Sequence, residues 1–211
     1  MQGIPVVLSA ASGTGKTTLA KMLLDADPRL VLSVSCTTRP PRGSEEDGVD
    51  YHFVDVGTFE AMIARAAFIE HALVHGNRYG SSKEFTSAQL DAGRDVLFDI
   101  DVQGGAQLKA LFPQALLVFL VPPSMDELER RLRRRGTDTD DVIKRRLDAA
   151  RQEISAGLAG YDFVIVNERI EQALGDLAAT VRSSRLQRLD RSDFARSLGA
   201  TAVKKTDREI T

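Results

Sequence analysis

Large apolar residues concentrate in four short runs, at 4–10 (IPVVLSA), 95–101 (DVLFDID), 115–121 (ALLVFLV) and 162–167 (DFVIVN). None alternates apolar with polar, as a strand with one wet face would. The pattern predicts short strands covered on both faces, as in a parallel sheet. Between the runs the apolar spacing turns helical. Leu19, Met22, Leu23 and Ala26 share one stripe over 16–26, and Leu128 and Leu132 share another in a helix opened by Pro123-Ser124. Ile143, Leu147, Ala150 and Ile154 form a third stripe over 140–154. Strands alternating with helices of this length predict an α/β fold.

Two regions break the rhythm. Residues 37–92 open with TTRPPRGSEEDGVDYHF, rich in proline, glycine and charge, and then offer strand-like pieces near 51–54 and 68–74 around a helix-like 57–66. This texture predicts a small α+β subdomain inserted into the core. After about residue 185 large apolar residues thin out. A short peripheral helix over 186–198 and a disordered polar end are expected there.

Composition narrows the possibilities. The 211 residues fit one compact domain with a modest insertion, and 43% hydrophobic content supports a sizeable core. Twenty-eight basic against 30 acidic residues leave a formal charge of −2, so nothing in bulk draws the chain to nucleic acid or to an anionic membrane. Cys36 is the only cysteine, which excludes a disulfide framework and a multi-cysteine metal site. No apolar run nears the roughly 20 residues that span a bilayer. The start, MQG followed at once by IPVVL, does not resemble a secretory leader. A soluble, cytoplasmic protein is expected.

The first run leads into Ser9-Ala-Ala-Ser-Gly-Thr-Gly-Lys-Thr-Thr18, which fits a phosphate-binding loop except that Ala10 stands at the usual first glycine. Gly13 and Gly15 permit a tight turn whose N–H groups converge on phosphate oxygens, and the following helix adds its positive end. Lys16 can reach the outer phosphates, and Thr17 can offer a hydroxyl to Mg²⁺. Alanine at position 10 is tolerable wherever φ is negative. The context of strand, glycine turn and amphipathic helix makes a P-loop NTPase-like core the expectation. Asp99 and Asp101, two residues apart at a strand end, are expected on one side of the strand, where a cation or donor-rich ligand would relieve their repulsion.

A phosphoryl acceptor needs a second pocket. Arg39 and Arg42 bracket two prolines, a stiff placement for bidentate phosphate binding, with a solvated basic turn as the plainer alternative. Tyr51 and Tyr79 offer phenols, and Ser35 and Ser81 short hydroxyls. Glu70, in the apolar AAFIEHALV, must meet donors. Guanine supplies adjacent N1–H and N2–H donors, which adenine lacks, and an internal ion pair is the alternative. The arginine-dense ELERRLRRRGTDTDDVIKRRLDAARQE holds Arg131, Arg134, Arg135, Arg145 and Arg146 around the turn at Gly136-Thr137. A lid of this kind can close over phosphates and exclude water. Interleaved acidic residues argue against a nucleic-acid stripe.

Together SGTGKTT, SVSCTTRPPRGSEEDGVDYHFV, FIEHALVHGNRYGSS, LFDIDVQG, RRLRRRGTDTDDVIKRRL and DFVIVNE resemble guanylate kinase, the ATP-dependent GMP kinase family, over about residues 3–185. The resemblance implies a domain over 1–185: a parallel core over about 3–36 and 93–185, a GMP-binding insertion over about 37–92, and a helical lid over about 126–150. Residues 186–211 are left as a partly disordered extension. It implies ATP bound by Ala11, Ser12, Gly13, Thr14, Gly15, Lys16, Thr17, Thr18 and, beside the adenine, Asn167. It implies the GMP phosphate held by Ser35, Arg39, Arg42, Tyr51 and Tyr79, and guanine read by Glu70 and Ser81. Asp99 and Asp101 would lie between acceptor and metal, with Thr17 and Asp99 serving Mg²⁺ directly or through water. Lys16, Arg42, Arg135 and Arg146 would be the catalytic set, acting on ATP and on GMP or dGMP. Ala10-Ala11 departs from the family's frequent Gly-Pro, and the tail lies beyond the resemblance.

This chemistry needs no covalent intermediate and no general base, because the acceptor oxygen is itself anionic. His52, His71 and His75 are therefore expected to be structural or on the surface. Two alternatives remain: a kinase for another nucleoside monophosphate or a ribose phosphate, and a non-catalytic protein-binding module of the same fold. Lys16, Thr17 and the arginine cluster favour catalysis. Monomer against homo-oligomer stays open.

Overall fold

The computed structural model describes residues 3–74, 76–134, 139–187 and 198. In chain order the elements are β1 (Pro5–Ala10), α1 (Lys16–Ala26), β2 (Leu30–Leu32), β3 (Cys36–Thr37), β4 (His52–Phe53), α2 (Val56–Ala64), β5 (Phe68–Val74) and β6 (Asn77–Ser82). They continue as α3 (Lys83–Asp91), β7 (Asp95–Asp99), α4 (Val102–Leu111), β8 (Leu116–Val121), α5 (Met125–Arg134), α6 (Asp140–Gly160), β9 (Phe163–Val166) and α7 (Ile170–Gln187).

Five strands form an all-parallel sheet in the order β2-β7-β1-β8-β9. Adjacent residues of β1 feed opposite cores, which is why that run is uniformly apolar. Val6 and Leu8 pack with Leu19 and Leu23 of α1 and Leu177 of α7. Val7 faces the other way, toward Leu108 of α4 and Leu90 of α3. From β1 the chain runs through α1 to β2 on one side, and from β7 it crosses through α4 to β8 on the other side of β1. The crevice at the carboxyl end of β1 is therefore a topological switch point, the usual ligand position in such sheets. A second sheet, β4-β3-β6-β5, is mixed and carries its own small core of Cys36, Phe59 and Phe68.

Helix starts are set by short polar side chains. Asp55, Ser82 and Asp101 accept from the N–H groups of Thr58, Phe85 and Gly104 at 2.7, 3.2 and 3.0 Å, and Ser124 accepts from Glu127 at 3.1 Å. Each such cap contributes about 1 kcal/mol. No helix among the described residues is long and apolar enough to cross a membrane.

The structure departs from the sequence expectation in several places. The run at 162–167 is a strand, but it is not covered on both faces: in β9 only Ile165 is buried, while Phe163, Val164 and Val166 are exposed. It is the edge strand of the sheet. β2 and β3, three and two residues long, carry too little periodicity to be seen. β6, NRYGSS, is largely polar and leaves no apolar run to mark a strand. α6 runs to Gly160 rather than stopping near 154. The helix expected over 186–198 overlaps the end of α7, and beyond Gln187 it lies largely outside the described residues, as does the tail.

At the opposite end of β7 from the switch point, the fully buried Asp95 accepts from the Ile4 N–H at 2.8 Å and from Arg185 of α7 at 2.5 Å. Arg185 also pairs with Asp27 at 2.6 Å. One carboxylate thus ties β1, β7 and α7. Asp95→Asn should cost about 2–3 kcal/mol, since it weakens a charged hydrogen bond inside the protein while Asp27 retains part of the pairing. Urea denaturation measures this. The substitution should leave nucleotide kinetics unchanged, because the phosphate loop lies at the other end of the strands.

Candidate functional site

β1 ends at Ala10, whose φ is not positive, so alanine replaces the expected glycine without strain. Strain appears only where glycine absorbs it: Gly13 and Gly15 have φ of 95° and 99°. Gly15 precedes α1, which makes Lys16 the first helical residue. The turn is closed by the Thr14 N–H donating to the Ala11 carbonyl at 3.2 Å. The Thr14 carbonyl is held from behind by the Asn167 amide at 2.7 Å and by Arg131 Nη1 at 3.4 Å. Arg131 also donates to the Asn167 carbonyl at 3.0 Å and to Glu127 at 2.8 Å. The side-chain amide of Asn167 therefore donates to the loop.

Lys16 Nζ meets Asp99 Oδ1 at 2.6 Å and donates to the Ile100 carbonyl at 3.0 Å. That carbonyl also accepts from Ser9 Oγ at 2.8 Å, and Ser9 in turn accepts from the Tyr161 hydroxyl at 2.7 Å. Burial pushes the Tyr161 phenol up to about 12, with the Ser9 hydrogen bond opposing. Thr17 Oγ1 lies 3.3 Å from Asp99 Oδ2, and both Thr17 and Thr18 are exposed. From α6, Arg146 donates to Ser12 Oγ at 2.7 Å. The two aspartates line one cavity, as expected, but they come from different elements and not from one strand. Asp99 is the last strand residue, but Asp101 has already left the strand and caps α4, so the two-residue period does not apply.

Facing this loop is a cavity of about 150 Å³. Lys16 at the start of α1, Asp99 at the end of β7 and Asp101 at the cap of α4 line it on one side, and Ser35, Tyr51, Glu70 and Tyr79 from the segment that forms the second sheet on the other. Glu70 on β5 is buried, and Ser81 Oγ on β6 donates to it at 2.5 Å. Ser35 and Ser81 hydroxyls stand 3.4 Å apart. The internal ion pair considered for Glu70 does not form: among the described residues no cation pairs with it. Burial pushes its carboxyl up to about 7, with Ser81 opposing and the charge of Asp101 adding. Gly104 of α4 permits this placement, since a methyl there would stand 2.5 Å from Oε2. The tyrosine rings meet edge to face at 6.0 Å, and burial followed by the Asp99 charge pushes Tyr51 up to about 12.

Arg39 is not on a solvated basic turn. It is 6% exposed, with both terminal nitrogens on Glu45 at 2.9 Å, whereas the Arg42 side chain is exposed. In the arginine-dense segment, Arg131 and Arg146 reach the loop. Arg133 pairs with Glu129 and Asp140 on the helix surface, and Arg145 with the Asp141 carbonyl. Arg135, Gly136, Thr137 and His75 lie outside the described residues. Sequence reasoning passed over Glu45, the grip of Arg131 on the back of the loop, and Gly104. The last two left a signal: Glu127 stands four residues before Arg131, and a Gly-Gly pair inside a helix is costly unless something must approach closely.

Chemically, one wall offers loop N–H groups and a lysine to a polyphosphate, and the other offers a buried carboxylate and hydroxyls to a flat polar ring. A family model described as Guanylate kinase matches residues 2–184. The guanylate kinase of Anaeromyxobacter dehalogenans (strain 2CP-C) is 51% identical over 207 residues, which cover 98% of this chain and 92% of its own. That of Dechloromonas aromatica (strain RCB) is 55% identical over 186 residues, 88% of this chain and 92% of its own. A crystal structure of guanylate kinase from Anaplasma phagocytophilum aligns with a TM-score of 0.80 at 33% identity, covering 96% of this chain and 98% of that one.

The raised Glu70 carboxyl has a consequence for stability. The folded protein holds this proton more tightly than the unfolded chain, so stability falls as pH rises from 4.5 to about 7 and the full penalty persists above. Glu70→Gln removes the charge, and the ligand-free variant should exceed the parent in stability at pH 8 by on the order of 2 kcal/mol. The difference should shrink toward pH 4.5. Urea denaturation at both pH values measures this, and a variant less stable than the parent at pH 8 would mean that Glu70 braces the fold.

Proposed function

The chain belongs to the guanylate kinase family, and on that premise we propose how its own residues divide the work. It transfers the γ-phosphoryl group of ATP to GMP, giving ADP and GDP. In our assignment residues 3–36 and 93–185 form the ATP-binding core, 37–92 the GMP-binding insertion and 126–150 the lid, with dGMP as a second acceptor. The protein works in the cytoplasm, with the nucleotides it consumes.

One observation carries the assignment: Lys16 and Glu70 line the same cavity. A donor lysine and a buried acceptor-reading carboxylate are thereby within one small ligand of each other. Loop N–H groups from Ser12 to Thr17 cradle the ATP phosphates, with Ala11 closing the turn. Lys16 leaves Asp99 to meet the phosphate oxygens, and Arg146 approaches from α6. Arg42, and Arg135 by the family resemblance, complete the neutralisation of charge on the transferring group. Ionised Glu70 accepts from guanine N1–H and N2–H, Ser81 supports it, and Ser35, Arg39, Tyr51 and Tyr79 take the acceptor phosphate. Asp101 holds the α4 end of the cavity. The acceptor oxygen attacks in line, and closure around both substrates excludes water.

Magnesium fits the donors present. Thr17 Oγ1 and Asp99 Oδ2 are hard oxygens 3.3 Å apart. Among the described residues no group of three or more His, Cys, Asp or Glu forms a cage. Such a sparse oxygen set suits an ion that arrives on a nucleotide and keeps much of its own water. When bound, Mg²⁺ would offset charge on the β- and γ-phosphates.

A coupled assay offering GMP, dGMP, AMP, CMP and UMP with ATP and Mg²⁺ should show turnover on GMP and dGMP, and preference for AMP would sink the guanine assignment. Lys16→Ala should nearly abolish turnover while calorimetry finds GMP affinity largely kept. Equal loss of both in a folded variant would move Lys16 to the acceptor. Since guanine needs the ionised carboxylate, GMP affinity should fall as pH drops below about 7, by up to tenfold per unit. Glu70→Gln should lack this part of the profile and show a lower GMP/AMP ratio in kcat/KM.

A further inference from the structure

We infer that Glu45 is a positioning residue for the acceptor phosphate, setting Arg39 and Arg42 in place through one carboxylate. The inference rests on the proposed assignment of these arginines to the GMP phosphate.

Glu45 makes a two-point contact with Arg39: Nη1 donates to Oε2 and Nη2 to Oε1, both at 2.9 Å. The same Oε2 accepts the Arg42 peptide N–H at 2.7 Å. Residues 39–45 are therefore closed into a loop by a single side chain, which fixes the spacing between the two arginines. Other contacts complete the alignment of Arg39. Nη1 also reaches the Pro40 carbonyl at 2.7 Å, and the guanidinium carbon stands 5.2 Å from the Tyr51 ring centre and 5.9 Å from that of Phe53. Glu45 and Pro40 hold the group in its plane, and the aromatic rings hold it from the side.

A guanidinium has two edges for an oxyanion, the terminal Nη1/Nη2 pair and the lateral Nε/Nη2 pair. Glu45 occupies the terminal edge, so the lateral edge is the one presented to a second anion. Glu45 also answers why a carboxylate stands beside a phosphate site at all. Arg39 is 6% exposed, and a cation this deep is costly in the empty protein unless it is paired. The hydrogen bonds to Arg39 hold the Glu45 carboxyl below its usual range and raise the guanidinium further. Both therefore stay charged at any working pH, and the alignment does not lapse when the phosphate leaves.

Glu45→Gln keeps the size but turns a donor toward the arginine fork. Calorimetry with GMP and with guanosine separates phosphate recognition from base recognition, beside steady-state kinetics. GMP affinity should fall about tenfold, the loss of one charged hydrogen bond, while guanosine affinity and the KM for ATP hold. The kcat should fall less, by about threefold, since Glu45 holds Arg42, which acts on the transferring group, only through its peptide N–H. Glu45→Asp, which keeps the charge on a shorter stem, should recover part of the loss. If Glu45→Gln melts early, the GMP-to-guanosine difference in Glu45→Asp decides.

Tighter GMP binding in Glu45→Gln would overturn the inference, making Glu45 a competitor for Arg39. Unchanged binding, or equal weakening of GMP and guanosine, would overturn it too. A parent protein that binds GMP no better than guanosine would instead overturn the phosphate assignment beneath it.

Discussion

A loop of backbone N–H groups can hold a polyanion only if its own carbonyls are turned away and kept there. In this protein that constraint falls on the Thr14 carbonyl, which the Asn167 amide and Arg131 grip from behind. The grip draws on three separate parts of the chain. β1 delivers the loop, the residue after β9 supplies Asn167, and α5 supplies Arg131. Gly15 makes room for the amide, since a methyl there would lie 2.7 Å from Asn167 Nδ2. The parallel sheet matters to function chiefly because it brings these pieces to one crevice. Asn167 hydrogen-bonds back to Val121 at 2.8 Å, so its position follows from the β8–β9 register.

Three of the site's cations follow one pattern in the ligand-free protein. Lys16 rests on Asp99, Arg39 on Glu45 and Arg131 on Glu127. An array of unpaired cations in a crevice would repel and would pay a heavy desolvation cost. Pairing each with a local carboxylate lets the array exist before substrate arrives. The consequence differs by residue. Asp99 shares the cavity with Lys16, so the lysine can turn from one anion to another as phosphate enters. Glu45 and Glu127 hold their arginines from the side and end, and need not let go. Preorganisation then costs little at the moment of reaction, since donors already stand near where charge builds.

The core was legible wherever burial was two-sided and long enough to leave a run. β1, β7 and β8 are buried on both faces, and their apolar runs mark them. β9 left the same kind of run for a different reason, since as an edge strand it keeps apolar side chains in water. Hydrophobicity alone cannot tell a covered face from a bare one. The phosphate loop was legible because glycine and lysine are demanded by backbone geometry at fixed offsets. Glu45 was not, because an acidic run in a polar loop looks the same whether its carboxylates face water or clamp an arginine. Asp101 does reach the same cavity as Asp99, but as the cap of α4 and not through the period of the strand. Such differences arise where tertiary contacts, not local pattern, decide what a side chain does.

In the proposed assignment, Glu70 turns burial into selectivity. Its carboxyl is pushed up to about 7 because the pocket dehydrates it, and Ser81 supplies one hydrogen bond where water would supply several. The empty site thus carries an unfavourable charge. A ligand edge with two adjacent N–H donors removes that penalty, while an edge with one donor and one acceptor places a lone pair against the carboxylate. Discrimination therefore comes less from added attraction for the right base than from leaving the carboxylate unmet by the wrong one. A solvent-exposed glutamate would make the same hydrogen bonds, but water would rescue every mismatch. Gly104, by letting α4 press against the carboxylate, contributes to that burial.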